Sequence, residues 1–474
     1  MKETSINYGT GKMDIRVPDD ATILTWKELR QDPPAVDPYK ATEEALNNPL
    51  GMPPLKELAN PGDKVVIGFP DRVKGGVHEE AHRKVAIPII IEHLKEAGVK
   101  EKDISLLCIQ GLHRKNTKEE LDWYLGEDIV ERFWPDRLFM HDAEDDDNIV
   151  DLGYDDMGNR VEVNKRLAEA DVPILLGHSQ GNPYGGFSGG YKTLVTGATT
   201  WRSIASHHVP STMHKSNFLP VNTHKSTMRA QFNSIGQAIE KGIGKNAFMV
   251  DAVTGTDSQV LDVNAGSGLK VQEKCWEVAR KRTDYYLDLD EKFDILAFGE
   301  PRDFHYGPGH GTNPILMLQA IGAQLIRHYD VMKEDNVIIA ASLCNGWFNE
   351  DWFSPAYKEL YNKLQTISNF DEVVKFKDEF ANNPEYIYKY RYGFGYHPFH
   401  AFSMVSCGTV ALKNTKRVYI PGAMKPKYAR GMECKPTNNF EEALEDAKQY
   451  VGNNPRVLVL PETFERVSVH LRNK

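Results

Sequence analysis

Apolar residues along the first half of the chain alternate between two periods. Residues 64–69, KVVIGF, form a short continuous apolar run of the buried-strand type. Residues 79–97 carry Val85, Ile89 and Leu94 on one helical face that ends at Gly98. Residues 104–109 give the next strand, and Thr117-x-x-Glu120 is a capping box for a helix running through Leu125. Residues 172–176 form another strand, directly ahead of a glycine-rich segment. Strands that alternate with helices predict a largely parallel sheet covered on both faces. In such sheets ligands sit beyond the C-terminal ends of the strands, so the chemistry belongs in the segments that follow them.

A second series starts near Phe293. Residues 293–298, 337–341, 417–420 and 456–460 read as strands, with helices over 315–328 and 440–451 between or near them. The charged stretch 280–292 is the preferred boundary, which divides the chain into an N-terminal α/β domain over 1–285 and a C-terminal α/β domain over 286–474. Residues 357–396, rich in Lys, Asn and Tyr, read as an amphipathic helical insertion. The expected fold class is α/β, with two Rossmann-like lobes and mostly parallel sheets.

Composition narrows the function classes. The 474 residues, 41% hydrophobic and 26% charged, describe an ordinary globular protein large enough for two cores. A net charge of −10 argues against a general nucleic-acid binder. No apolar run reaches the length of a membrane span and the first twenty residues hold no apolar signal core, so the expected location is the cytoplasm. Five dispersed cysteines without C-x-x-C fit reduced thiols and exclude a cysteine-rich metal site. Any metal would therefore rely on histidine or on a cofactor.

The densest signal is residues 185–208, GGFSGGYKTLVTGATTWRSIASHH. Four glycines precede Lys192, and a pair of histidines ends sixteen residues beyond it. Glycines allow close backbone approach, and successive N–H groups at a helix start make an anion-binding concavity. A lysine there suits a phosphate clamp or a nucleophile toward a carbonyl-type carbon. The Walker A loop fails on register, because Tyr191 stands between Gly190 and Lys192. The GFSGGYK motif, together with the motifs below, resembles the lactate racemase family, whose members use a nickel-pincer nucleotide. That resemblance implies covalent attachment of the cofactor to Lys192, nickel ligation by His208, and cofactor contacts from Ser188, Gly189 and Gly190. Adjacent side chains point different ways, so His207 is not expected to share the metal. Two lobes with the active site in the cleft between them also follow from the resemblance.

Further motifs follow the strands. Asp71-Arg72-Val73-Lys74 in isolation reads as a solvated turn, but it is similar to the family's Asp-x-x-Arg motif. This places Asp71 near the cofactor and Lys74 where an arginine meets substrate. Lysine is a point charge rather than a planar fork, which departs from lactate-like recognition. Gly111-Leu112-His113-Arg114 resembles the family's Gly-x-His-Arg, with His113 as general base. Arg114 either neutralises a substrate anion or pairs with a surface carboxylate. A second catalytic histidine, ten residues before the lysine in the family, is here Asn182, a substrate contact that exchanges no proton. His178, His305 and His310 are candidates to replace it.

Gly299-Glu300-Pro301-Arg302-Asp303 is similar to the family's G-x-P-x-D, but continues as Phe304-His305-Tyr306-Gly307-Pro308-Gly309-His310. The Gly-Pro-Gly stretch reads either as a tight turn or as part of a remodelled substrate pocket with Arg302 and Tyr306. Trp347 either covers the cofactor or sits in the core. The function expected from these residues is racemisation or epimerisation of a 2-hydroxy acid larger or more hydroxylated than lactate. The alternatives are a one-face oxidoreductase on a polyol or hydroxy acid and a catalytically silent cofactor carrier. The partners expected are that small-molecule substrate and the proteins that assemble the cofactor.

Overall fold

The structure, a computed structural model, describes residues 1–73, 81–215 and 224–474. The chain forms two compact units. The inner unit comprises Asp32–His207 and Thr223–Thr283; the terminal unit comprises Met1–Gln31, His208–Asn222 and Asp284–Lys474.

The inner unit is built on six strands in the order Val260–Ser267, Phe248–Thr254, Val172–Ser179, Val65–Phe69, Ile104–Cys108, Leu138–Met140. All neighbours run parallel except the first pair, which is antiparallel. Val65–Phe69 is buried at all five residues, as a central strand covered on both faces requires. Ile67, Phe69, Leu106, Ile174 and Val250 pack with Ile90 and Leu94 of the helix His82–Glu96 in one core. Fully burying one such side chain contributes about 1.5–3 kcal/mol. The Thr117 capping box forms with both reciprocal bonds, starting the helix Lys118–Leu125.

The terminal unit holds a wholly parallel sheet ordered Lys435–Thr437, Arg417–Pro421, Met332–Ala341, Phe293–Gly299, Val457–Leu460, Thr22–Ile23. Helices Pro314–His328 and Pro398–Asn414 cross closely, because a Cβ on Gly322 would lie 2.4 Å from the Cys407 carbonyl oxygen. The region expected as a helical insertion contains helices Glu350–Leu364, Lys377–Ala381 and Pro384–Tyr392.

The expected N-terminal domain of 1–285 needs correction at its start. Residues Met1–Gln31 belong to the terminal unit. Thr22–Ile23 extends its sheet beside Leu458 and Val459. The hairpin Lys2–Tyr8 with Gly11–Val17 buries Ile6, Ile15 and Val17 in the core that holds Ile295, Ile339 and Val459. His208–Asn222 likewise belongs to the terminal unit. No helix among the described residues is long and apolar enough to cross a membrane. All five cysteines are unbridged and buried.

Candidate active site

In the inner unit the strand Val172–Ser179 leads into a two-residue hairpin, Gly181–Asn182 with Gly186–Phe187, and then into the helix Tyr191–Gly197. Gly189 and Gly190 have φ of 81° and 58°, and neither has room for a side chain. A Cβ on Gly189 would lie 2.5 Å from Asp251 Oδ2, and one on Gly190 would lie 2.4 Å from Gln272 Cβ. Only glycine satisfies both the dihedral and the contact.

The loop turns its hydrogen bonds inward. Gly190 N–H donates to Asp251 Oδ2 at 2.6 Å, and Ser188 N–H donates to the Gln180 carbonyl at 3.0 Å. Ser188 Oγ donates to the His178 carbonyl at 2.8 Å. The expected concavity of bare N–H groups therefore does not extend to Ser188 and Gly190, whose N–H groups are engaged within the protein. Burial pushes the Asp251 carboxyl up to about 6, against the opposing pull of the Gly190 N–H and the Arg229 guanidinium. Arg229, itself buried, donates through Nε to the Gly185 carbonyl at 3.1 Å and through a second nitrogen to the Phe187 carbonyl. Asp251 and Arg229 thus brace the two halves of the glycine loop. Sequence reasoning missed both; an aspartate in the middle of the apolar run 248–253 was the available signal.

Lys192 is buried on the first turn of the helix. Its Nζ donates to the Tyr184 carbonyl at 3.1 Å and to Asn182 Oδ1 at 3.3 Å. The faces of Tyr184 and Phe232 lie 5.1 and 5.0 Å away. His207 is buried edge-on against Phe232 at 5.0 Å. Burial, and then the nearby Lys192 charge, hold its imidazole down at about 3, so it is neutral. His208 is buried in the turn between the helices Trp201–Ala205 and Pro210–Met213 and belongs to the terminal unit. His178 is buried within its strand, in register with Ala252.

The neighbouring strands Val65–Phe69 and Ile104–Cys108 end beside one another and bring two distant residues together. His113 Nδ1 donates to Asp71 Oδ2 at 3.0 Å. That bond fixes the tautomer, placing the basic lone pair on Nε2. Asp71, expected beside the cofactor, is buried and serves the imidazole. Gly111 N–H donates to the Gly197 carbonyl at 2.9 Å, so the His113 loop is tied to the end of the Lys192 helix.

Arg114 is buried and forms a two-nitrogen ion pair with Glu120, which also takes Arg72 Nε at 2.9 Å. Of the two roles expected for Arg114, the pairing with a carboxylate is the one formed in the structure. Lys74 lies outside the described residues.

In the terminal unit the loop after the strand Phe293–Gly299 splits into an exposed and a buried part. The Arg302 guanidinium pairs with Asp303 and lies 5.9 Å from the Trp347 ring. Trp347 is 43% exposed, so it is no core residue. His305 is exposed at a φ of 27°, a region that costs a non-glycine residue about 1–3 kcal/mol. Tyr306 and His310 are instead buried. His310 stacks on Phe304 at 3.8 Å, its Nδ1 accepts the Tyr306 N–H at 3.3 Å, and its Nε2 donates to Gln319 Oε1 at 3.2 Å. Burial holds this imidazole at about 3. Both nitrogens of His310 are engaged, and Tyr306 and His310 are packed inside the loop.

Among the described residues no group of three or more His, Cys, Asp or Glu is arranged to hold a metal.

Residues 8–219 match the family model of the lactate racemase N-terminal domain. The whole chain is 25% identical to the lactate racemase of Thermoanaerobacterium thermosaccharolyticum, covering 100% of both proteins. It is 28% identical over 232 residues to that of Lactiplantibacillus plantarum, covering 48% of this chain and 50% of that one. The structure of the lactate racemase apoprotein from Thermoanaerobacterium thermosaccharolyticum matches with a TM-score of 0.71 at 20% identity, over 99% of this chain and 100% of that one. A Thermotoga maritima protein matches with a TM-score of 0.56 at 15% identity, over 94% and 100%. These two likenesses establish the shared α/β fold with mostly parallel sheets. Residues 8–219 thus match a lactate racemase N-terminal domain, and the whole chain is similar to a lactate racemase in sequence and in fold.

Proposed function

We propose that the protein is a racemase or epimerase of a 2-hydroxy acid that works with a nickel-pincer nucleotide. The observation that carries this reading is the Gly111 N–H bond to the Gly197 carbonyl, which ties the loop of a carboxylate-oriented histidine to the helix of a buried lysine. In this reading Lys192 holds the cofactor covalently, the loop Ser188–Gly189–Gly190 shapes its seat, and His208 ligates nickel. When bound, the cofactor supplies a reversible two-electron acceptor for the substrate carbon. His113 takes the substrate hydroxyl proton at Nε2 and returns it after the carbonyl form has turned its other face. The Asp71 carboxylate holds the ring in place and stabilises the imidazolium formed in that step. Lys74 supplies positive charge for the substrate carboxylate. The lysine in place of an arginine favours a substrate larger or more hydroxylated than lactate. Proteins that assemble and deliver the cofactor are the implied partners.

A one-face oxidoreductase is the second reading, favoured by Asn182, whose carboxamide cannot exchange a proton. The deciding experiment purifies the protein together with cofactor-assembling enzymes and records intact mass and nickel. The loaded protein is then incubated with single enantiomers of hydroxy acids and polyols. Appearance of the mirror image or epimer supports the first reading. Redox products without it select the second.

A further inference from the structure

Asn182 stands ten residues before Lys192, and its side chain is buried. Its Oδ1 accepts two hydrogen bonds, from the Tyr184 N–H at 2.8 Å and from Lys192 Nζ at 3.3 Å. Two donors converging on one atom identify that atom as the carboxamide oxygen. The bond to Tyr184 N–H is a turn closed by the side chain two residues earlier. That turn also presents the Tyr184 carbonyl, which accepts from Lys192 Nζ at 3.1 Å. Asn182 therefore supplies one acceptor for the lysine and shapes the turn that supplies the other. Both acceptors are neutral oxygens. Each directs Nζ without itself adding the negative charge that would favour its protonated, non-nucleophilic form.

We propose that Asn182 is a positioning residue for Lys192, acting on the amine rather than on substrate. It aims Nζ with a neutral oxygen, so that the amine is presented for attachment of the cofactor. The proposal rests on the reading of Lys192 as the attachment point, and its test separates the two.

Asn182→Ser keeps a hydroxyl that can close the turn on Tyr184 N–H but is too short to hold Nζ. Asn182→Asp keeps the shape and adds the charge. In cofactor-free protein, Lys192 is labelled with limiting acetic anhydride and quantified by peptide mass spectrometry against the exposed Lys56. Losing one hydrogen bond should raise the relative labelling of the Ser variant about threefold. The Asp variant should fall by about the same factor or more at pH 8, because its carboxylate favours the protonated amine. In protein made with the cofactor-assembling enzymes, both variants should show a smaller loaded fraction by intact mass. Wild-type labelling in both variants overturns the proposal, whether or not the protein loads. Changed labelling together with a wild-type protein that gains no mass supports the hold on Lys192 and overturns the attachment reading alone. A Ser variant that melts well below wild type is replaced by Asn182→Thr, with the same labelling outcomes required.

Discussion

Asp71 Oδ2 lies 3.0 Å from His113 Nδ1, although the two residues are 42 apart in sequence. The contact exists because each follows one of two adjacent parallel strands, so the sheet register sets the geometry of the pair. A base oriented by a buried carboxylate makes a non-additive prediction. His113→Ala should keep the covalent adduct and lose about 10²–10⁴-fold in turnover. Asp71→Ala should lose about 10- to 100-fold, as is typical when the partner that orients a functional histidine is removed. In the His113→Ala background the Asp71 change should add little. The four proteins are compared by kcat on fully loaded enzyme. Additive losses would show that Asp71 acts elsewhere, and loss of the adduct in Asp71→Ala would move it to the cofactor.

Nickel should depend on His208 and not on His207. The His207 ring is buried against Phe232, so His207→Ala should destabilise the fold by about 1–3 kcal/mol while most of the metal stays. His208→Ala should leave the mass adduct and strip the nickel. Metal analysis of both purified variants decides; the opposite dependence means the register between Lys192 and its metal ligand is off by one.

Lactate should be a poor substrate. Lys74 offers a point charge in place of an arginine fork. Arg302 is held to Asp303 and stands beside an exposed tryptophan, which in the proposed reading face a hydroxyl-bearing substrate. The comparison is kcat/KM for lactate against sugar acids on loaded enzyme. Lactate as the best substrate would show that neither departure sets specificity.

Much of the sheet architecture was written locally. The central parallel strands are short apolar runs, and the Thr117–Glu120 capping box is a three-residue signal. Neither requires knowledge of distant partners. Phe248–Thr254 was missed because Asp251 breaks its apolar run, and the reason for that aspartate lies 61 residues away at the Gly190 N–H. Placement of Thr22 beside Leu458 was equally invisible, since nothing local to either residue encodes their pairing. At the site, residue identity pointed to His113 and Lys192, but spacing alone could not show that Arg114 is matched by Glu120 or that His310 is stacked under Phe304. Those outcomes depend on burial and on partners distant in sequence or conformation.

Gly111 should tolerate no side chain. Its φ is 56°, and a Cβ there would lie 2.0 Å from the Thr196 carbonyl oxygen, a backbone atom that cannot swing aside. Gly111→Ala should therefore cost about 2 kcal/mol or more, combining left-handed strain with a displaced helix end. Turnover should fall alongside stability, because the same contact ties the His113 loop to the Lys192 helix. Denaturant unfolding and kcat measure the two effects. A stable Gly111→Ala protein of full activity would show that this contact does not couple the two segments.

The buried Asp251 carboxyl makes stability depend on pH. Burial raises the Asp251 carboxyl from 3.8 to about 6 in the folded protein. Between those values the native state binds the proton more tightly than the unfolded chain, so this group's contribution to stability is fully present below about pH 4. It is lost as pH rises toward 6. Above that window the ionised carboxylate costs on the order of 3 kcal/mol relative to its protonated form. Buried His82, His141 and His470, all held near 4, act in the opposite sense, losing stability as pH falls from 6.5 toward 4. They are common to wild type and variant, so a difference measurement cancels them. Asn is a neutral isostere that still offers an oxygen to the Gly190 N–H. Asp251→Asn should therefore be as stable as wild type, or more so, at pH 7–8, and the difference should shrink as pH falls through 6 to 4. Paired denaturant titrations across pH 4–8 give the curve. A difference that does not change with pH would show that Asp251 does not titrate there, and an Asn variant less stable at pH 8 than at pH 4, relative to wild type, would reverse the sign of its role beneath the glycine loop.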